Sequence, residues 1–120
     1  SGRSTKARGD AAEDQALDYL QAQGLRLLQR NYRTPGRGGG EIDLIMQAPD
    51  GTVVFVEVRQ RSRSDFGGAA ASISALKRRR IILAAQHYLL RWRRLPPARF
   101  DVVAIDPAGV QWLQAAFTAD

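Results

Sequence analysis

The chain has 120 residues, 44% of them hydrophobic and 25% charged, with a formal net charge of +6, which fits one soluble domain and is too short for two independent cores. No apolar run approaches the roughly 20 residues of a membrane-spanning helix, and "SGRSTKARGD" lacks the apolar centre of a signal peptide. The absence of cysteine excludes disulfides and thiolate metal sites; a cytoplasmic protein is the simplest expectation, with residues 1–8 disordered or tag-derived ahead of a single domain.

In chain order, Asp10 followed by Glu13 has capping-box spacing and predicts a helix over 10–23. Ala12, Ala16, Leu17 and Leu20 give it an apolar stripe, and Gly24 stops it. "LRLLQRNYR" (25–33) reads as a strand. "TPGRGGG" reads as a mobile connector, because no helix pattern follows it as a phosphate-binding glycine loop requires. "EIDLIMQ" (41–47) and "TVVFVEVRQR" (52–61) are the clearest strands, joined by "APDG" turn chemistry. After the small, flexible "SDFGGAAAS", a long helix is predicted over 73–95, closed by Pro96 and Pro97. "RFDVVAI" (99–105) is a fourth strand, and "VQWLQAAF" (110–117) a short fifth strand or a terminal helix. The order α, β, β, β, α, β predicts an α/β sandwich around a mixed sheet.

Charge is segregated along this order. Between Arg59 and Arg99 stand 11 basic residues and one acid, Asp65, while the remainder balances to −4. Sixteen of the 18 basic residues are Arg, whose planar fork suits phosphate. Such a directional field is the footprint of a polyanion partner, and nucleic acid is the expected one. On the long helix Lys77, Arg80, Ala84, His87, Arg91 and Arg94 recur at spacings of 3 and 4 and should share a face. Ile82, Ala85, Leu89 and Trp92 form the stripe expected to pack on the sheet. His87, set among cations, suits a surface or phosphate contact, and Trp92 and Trp112 read as core anchors.

The hairpin raises a different question, because it places acids inside apolar runs. With Pro49-Asp50-Gly51 as a three-residue loop, Ala48 faces Thr52, Leu44 faces Val56, Asp43 faces Glu57 and Glu41 faces Arg59. Ile42, Leu44 and Met46 should share one face of their strand, and Glu57, Arg59 and Arg61 one face of the next. Two carboxylates directly opposed are destabilising unless something positive lies between them. Two readings remain open: a divalent cation, for which hard oxygen ligands suit Mg²⁺ or Mn²⁺, or a half-exposed hairpin face carrying a Glu41–Arg59 pair.

"GEIDLI", "VFVEVRQR", the earlier helix with Ala12-Glu13, the later Lys77 and the "RFDVVAI" strand together resemble the bacterial YraN-type family, over about residues 9–117. That family is assigned to the restriction-endonuclease-like superfamily, related to archaeal Holliday-junction resolvases. The resemblance implies an α-β-β-β-α-β core and a metal-dependent endonuclease acting on structured or branched DNA, sometimes as a homodimer, with no membrane role. It implies Asp43, Glu57 and the main-chain carbonyl of Val58 as ligands of Mg²⁺ or Mn²⁺, with Glu13 completing or orienting the site. Arg59 falls where the superfamily pattern has lysine. Arginine cannot act as a base, although it can hold a phosphate oxygen, and Lys77 on the following helix is a substitute. The nucleic-acid backbone is then tracked by Arg61, Arg63, Lys77, Arg78, Arg79, Arg80 and Arg91. The alternative is a binding module of the same fold with weak or absent chemistry.

Overall fold

The computed structural model describes residues 3–36, 39–61 and 73–119. The elements run α1 (Arg3–Ala22), β1 (Arg26–Arg33), β2 (Glu41–Gln47), β3 (Val53–Gln60), α2 (Ala75–Leu89), β4 (Ala98–Asp106) and β5 (Gly109–Phe117). The segment "SDFGGAAAS" and Arg63 lie outside the described residues.

The five strands form one sheet in the order β1-β2-β3-β4-β5. β1, β2 and β3 are antiparallel neighbours, β4 is parallel to β3, and β5 returns antiparallel to β4. A parallel step cannot be made by a tight turn, and α2 provides the crossover between β3 and β4. This is the mixed α/β architecture expected, compatible with the α-β-β-β-α-β core, and 110–117 is a strand rather than a helix.

Each helix covers one core. Ala12, Ala16 and Leu20 of α1 pack with Leu44, Met46, Val54, Val56, Val103 and Ile105, all buried, with Leu17 at the margin. Ile81, Ala84, Ala85 and Tyr88 of α2 pack with Ile45, Phe55, Phe100, Val102 and Phe117. The second core is aromatic: Phe55 stacks on Phe100 at 5.6 Å between centroids, and Phe100 on Phe117 at 5.0 Å. Tyr88 meets Tyr32 edge-on at 5.1 Å. Contacts of this kind each contribute about 0.5–1.5 kcal/mol beyond the area they bury. Trp92 and Trp112 pack at the edges of the two cores.

Both helices depart from expectation at their ends. α1 already runs from Arg3, so Asp10 lies within the helix and is not its cap. α2 is capped by Ser74, whose Oγ accepts from the Lys77 amide at 3.1 Å, and it ends at Leu89, not near residue 95. Pro96 disfavours helical backbone before it, and the run Arg91, Arg93, Arg94 offers little apolar surface to bury. The buried stripe is Ile81, Ala84, Ala85 and Tyr88, while Ile82, Leu89 and Trp92 only flank it. Ala84, expected among the cations, is in the core, and Arg91 lies beyond the helix.

The hairpin register is the predicted one where β2 and β3 pair, from Gln47↔Val53 to Leu44↔Val56. The Ala48 amide reaches the Thr52 carbonyl at 2.9 Å, and Gly51 turns at φ 94°. One alternation fails: Leu44 and Met46 face α1, but Ile42 joins the α2 core beside Tyr32. The connector before β2 is also more than a mobile link. A Cβ on Gly40 would lie 2.4 Å from the Arg80 carbonyl oxygen, so only glycine lets β2 start against α2.

Candidate active site

Beyond Leu44 the ladder between β2 and β3 stops. Instead of a backbone partner, Val58 gives its N–H to Asp43 Oδ2 at 2.8 Å. A strand residue directs its N–H and C=O to the same side, so the Val58 carbonyl faces this gap as well. Sheet divergence is therefore built from a carboxylate standing in for main chain. It opens at the point to which β3 carries Glu57 and α2 brings its first turn.

Glu57 is only 4% exposed. Its Oε1 lies 2.6 Å from Lys77 Nζ and 3.8 Å from an Arg59 guanidinium nitrogen. The capped start of α2 holds Lys77 there, and the positive end of a helix dipole favours a carboxylate nearby. Asp43 is partly buried, and its pKa is pushed up to about 8 by burial first and by the Glu57 charge second, against the lowering effect of the Val58 hydrogen bond.

Glu13 adds a third negative field at Asp43 from α1. Burial raises its own pKa, opposed by Arg30 and Asn31. Arg30 spans Glu13 at 3.4 Å and Asp14 at 2.8 Å. With its amide nitrogen turned toward the acids, Asn31 donates to Glu13 Oε1 and Glu41 Oε1, at 3.2 Å each. Glu41 pairs across the sheet with Arg33, with a 3.3 Å ion contact. It therefore does not pair with Arg59 as the hairpin pattern suggested, because β2 has already left β3 at this level.

The donor chemistry fits a hard divalent cation in one respect and falls short in another. Two carboxylates face a gap in the sheet, and the raised Asp43 pKa comes from burial first and the nearby Glu57 charge second, so a cation there would relieve both. Among the described residues, no three of His, Asp or Glu gather as a metal-holding group. Any ligand set therefore depends on the two acids, main chain and water.

The expected nucleic-acid contacts divide. Lys77 is committed to Glu57. Arg79 and Arg80 are exposed on α2, and Arg78 lies 5.6 Å over the Phe117 ring. Arg61 reaches Gln111 at 3.4 Å. Arg91 stacks on Tyr88, 3.7 Å from the ring centroid.

A family model described as "Uncharacterised protein family UPF0102" matches residues 12–105. The chain belongs to this family. A UPF0102 protein of Albidiferax ferrireducens is 70% identical over 115 residues, covering 96% of this chain and 90% of the relative. One from Paracidovorax citrulli is 68% identical over 115 residues, with 96% and 85% covered, and one from Cupriavidus taiwanensis is 62% identical over 117 residues, with 98% and 87% covered. The YraN-type resemblance is thus established, and the restriction-endonuclease-like architecture is consistent with it. The matched span contains Glu13, Asp43, Glu57, Arg59 and Lys77, whereas β5 lies beyond it.

Two residues stand outside the sequence motifs, Asn31, which contributes to the site, and Asp101, which is structural. Asn31 adopts φ 52° within β1, a conformation that asparagine tolerates better than other side-chain-bearing residues, and an Asn inside a strand pattern is the signal that marks it. Asp101 is wholly buried but was read only as part of a strand; the acid in "RFDVV", between Phe100 and Val102, is the corresponding signal.

Proposed function

We propose that this UPF0102 protein is a metal-dependent endonuclease-like protein that binds nucleic acid, structured or branched DNA in particular, and hydrolyses a phosphodiester bond. The observation that carries the reading is the gap between β2 and β3, where buried Glu57 and pKa-shifted Asp43 meet the cations Lys77 and Arg59. Asp43, Glu57 and the Val58 carbonyl would hold Mg²⁺ or Mn²⁺. The bound ion would supply an activated water and neutralise developing charge.

This chain's residues do the remainder. Glu13, oriented by Arg30 and Asn31, adds negative charge beside Asp43 and favours a cation there. Lys77 takes the part that Arg59 cannot play fully: a primary amine close to the acids can relay a proton and hold a phosphate oxygen, whereas a guanidinium only holds. Arg59 steadies the phosphate from the strand side. Arg61, Arg78, Arg79, Arg80 and Arg91 supply the surrounding positive field. Asp43→Ala is expected to abolish Mg²⁺- or Mn²⁺-dependent cleavage of branched DNA by pure protein, and unchanged cleavage would remove the site assignment.

A second reading is favoured by one contact. Lys77 at 2.6 Å from Glu57 already provides a counter-charge, so the fold could serve as a nucleic-acid-binding module with a silent centre. That reading predicts salt-sensitive binding indifferent to metal and no product under any divalent ion. Arg59→Lys separates the two, since restoring the superfamily pattern should raise cleavage only where a working metal site exists.

A further inference from the structure

Ten residues along α2 from Lys77, a histidine and an arginine are held in place by aromatic residues. His87 is exposed, and its Nδ1 is hydrogen-bonded to the Tyr32 hydroxyl of β1. Arg91 is exposed just past the helix end, its guanidinium 3.7 Å over Tyr88 and 5.8 Å from the Tyr32 ring. Its Nε donates to the Tyr88 carbonyl at 3.0 Å. Both side chains are therefore anchored at one atom, and among the described residues no acid contacts His87 Nε2 or the Arg91 terminal nitrogens. Surface side chains ordinarily lose considerable freedom on binding an anion; these two have lost much of it already.

We propose that His87 and Arg91 form a second phosphate-binding subsite, which engages the same nucleic-acid backbone as the carboxylate centre and rests on the nuclease reading above. Phosphate is favoured over a nucleobase because the Tyr32 and Tyr88 rings are 7% and 3% exposed and offer no free face for stacking. It is favoured over a carboxylate because a fixed guanidinium fork beside an imidazole matches several oxygens at once. The negative end of the α2 dipole opposes an anion here, and the Arg91 bond to the Tyr88 carbonyl offsets that opposition. At a rise of 1.5 Å per residue the subsite lies about 15 Å from Lys77 along the helix axis, which spans about four to five nucleotides at 3.4 Å each. The centre would then act on a strand gripped at both ends of α2.

The test is fluorescence anisotropy with a labelled DNA duplex two helical turns long, in EDTA, over a range of NaCl concentrations. EDTA separates binding from chemistry. The His87→Gln/Arg91→Ala variant keeps a partner for Tyr32 and alters only exposed positions. It is expected to bind about 10- to 100-fold more weakly, with a log–log salt slope shallower by about one to two. Arg91→Lys, which keeps charge but not the stacked fork, should fall between. Arg26→Ala removes a cation from the opposite end of β1, where Arg26 contacts Gln47, and should change affinity by less than about twofold. Wild-type binding with a double variant of the same affinity and slope would overturn the subsite and leave the nuclease reading standing. No binding by the wild type would overturn both.

Discussion

Two acids on strands either side of β3, one buried and one partly buried, have opposite surroundings. Asp101 in β4 accepts four hydrogen bonds: from Arg99 Nε to both oxygens at 3.1 and 3.2 Å, from Trp112 Nε1 at 2.8 Å and from the Ala115 amide at 2.9 Å. It also anchors a distortion, since the β4–β5 register shifts between Phe100 and Val102 and Ala115 takes φ 51°. Asp43 in β2 has one backbone donor, and its neighbours include Glu57 and Glu13. Burial alone therefore does not mark a functional carboxylate in this fold. Donor supply separates the two: Asp101 is a closed structural joint, while Asp43 has one backbone donor and, under the proposed function, a cation would complete its site with Glu57.

The largest expected effect comes from breaking the closed joint. Asp101→Ala leaves the Arg99 guanidinium, an indole N–H and the Ala115 amide without their acceptor, and should cost about 3–5 kcal/mol. Urea unfolding monitored by tryptophan fluorescence would read it, with Asp101→Asn, which keeps one acceptor oxygen, losing less. A loss below about 1 kcal/mol for Asp101→Ala would show that the hydrogen-bond set is not what holds β5 to β4.

Next in size is the division of labour between the two cations. Lys77 lies 2.6 Å from Glu57, whereas Arg59 lies 3.8 Å from it. Lys77→Ala should therefore lower the cleavage rate about 10²- to 10³-fold, the range for losing one preorganised charge-stabilising donor, and Arg59→Ala about tenfold. Single-turnover cleavage with saturating Mg²⁺ would measure both. The reverse ranking would place the strand arginine, not the helix lysine, at the phosphate.

The open site should also respond to pH. Folding raises the Asp43 pKa from its ordinary 3.8 to about 8, so between those limits the folded chain keeps a proton that the unfolded chain has released. The resulting stability is full below about pH 4 and is lost as pH rises through about 8. In EDTA, Asp43→Asn should therefore be more stable than the wild type at pH 9 by about 1–3 kcal/mol, after allowing for solvent access, and the gap should shrink toward pH 5. Urea midpoints at pH 5, 7 and 9 would show it, and parallel profiles for the two proteins would deny Asp43 its unfavourable burial. Mg²⁺ should raise the midpoint of the wild type alone, since binding to the native state stabilises it.

Much of this was legible in the residues. The period-2 runs and the "APDG" turn marked three strands and the hairpin register, because each depends on local chemistry. Asp43 and Glu57 stood out as acids in apolar runs. What could not be read was where pairing ends. Leu44↔Val56 is the last β2–β3 pair, and that depends on Asp43 replacing a main-chain acceptor and on Gly40 meeting α2. The same departure sends Ile42 to the other core and Glu41 to Arg33. The α2 stripe was misassigned by one residue because Ile81 and Ile82 both fit the period, and only the aromatic core decides between them. Lys77 at Glu57 needed the crossover geometry, which no spacing encodes.

The smallest expected effect concerns the pair that took the place of Glu41–Arg59. Arg33 and Glu41 make a 3.3 Å contact with side chains 77% and 39% exposed, so water screens it and it is worth about 0–0.5 kcal/mol. Arg33→Ala should leave the urea midpoint within error and cleavage within about twofold. Glu41 nonetheless shares Asn31 with Glu13, which gives this modest prediction a sharper use. A drop in cleavage comparable to that of Arg59→Ala would mean that charge at Glu41 is transmitted through the Asn31 amide to Glu13, and the boundary of the open site would have to move outward to include β1.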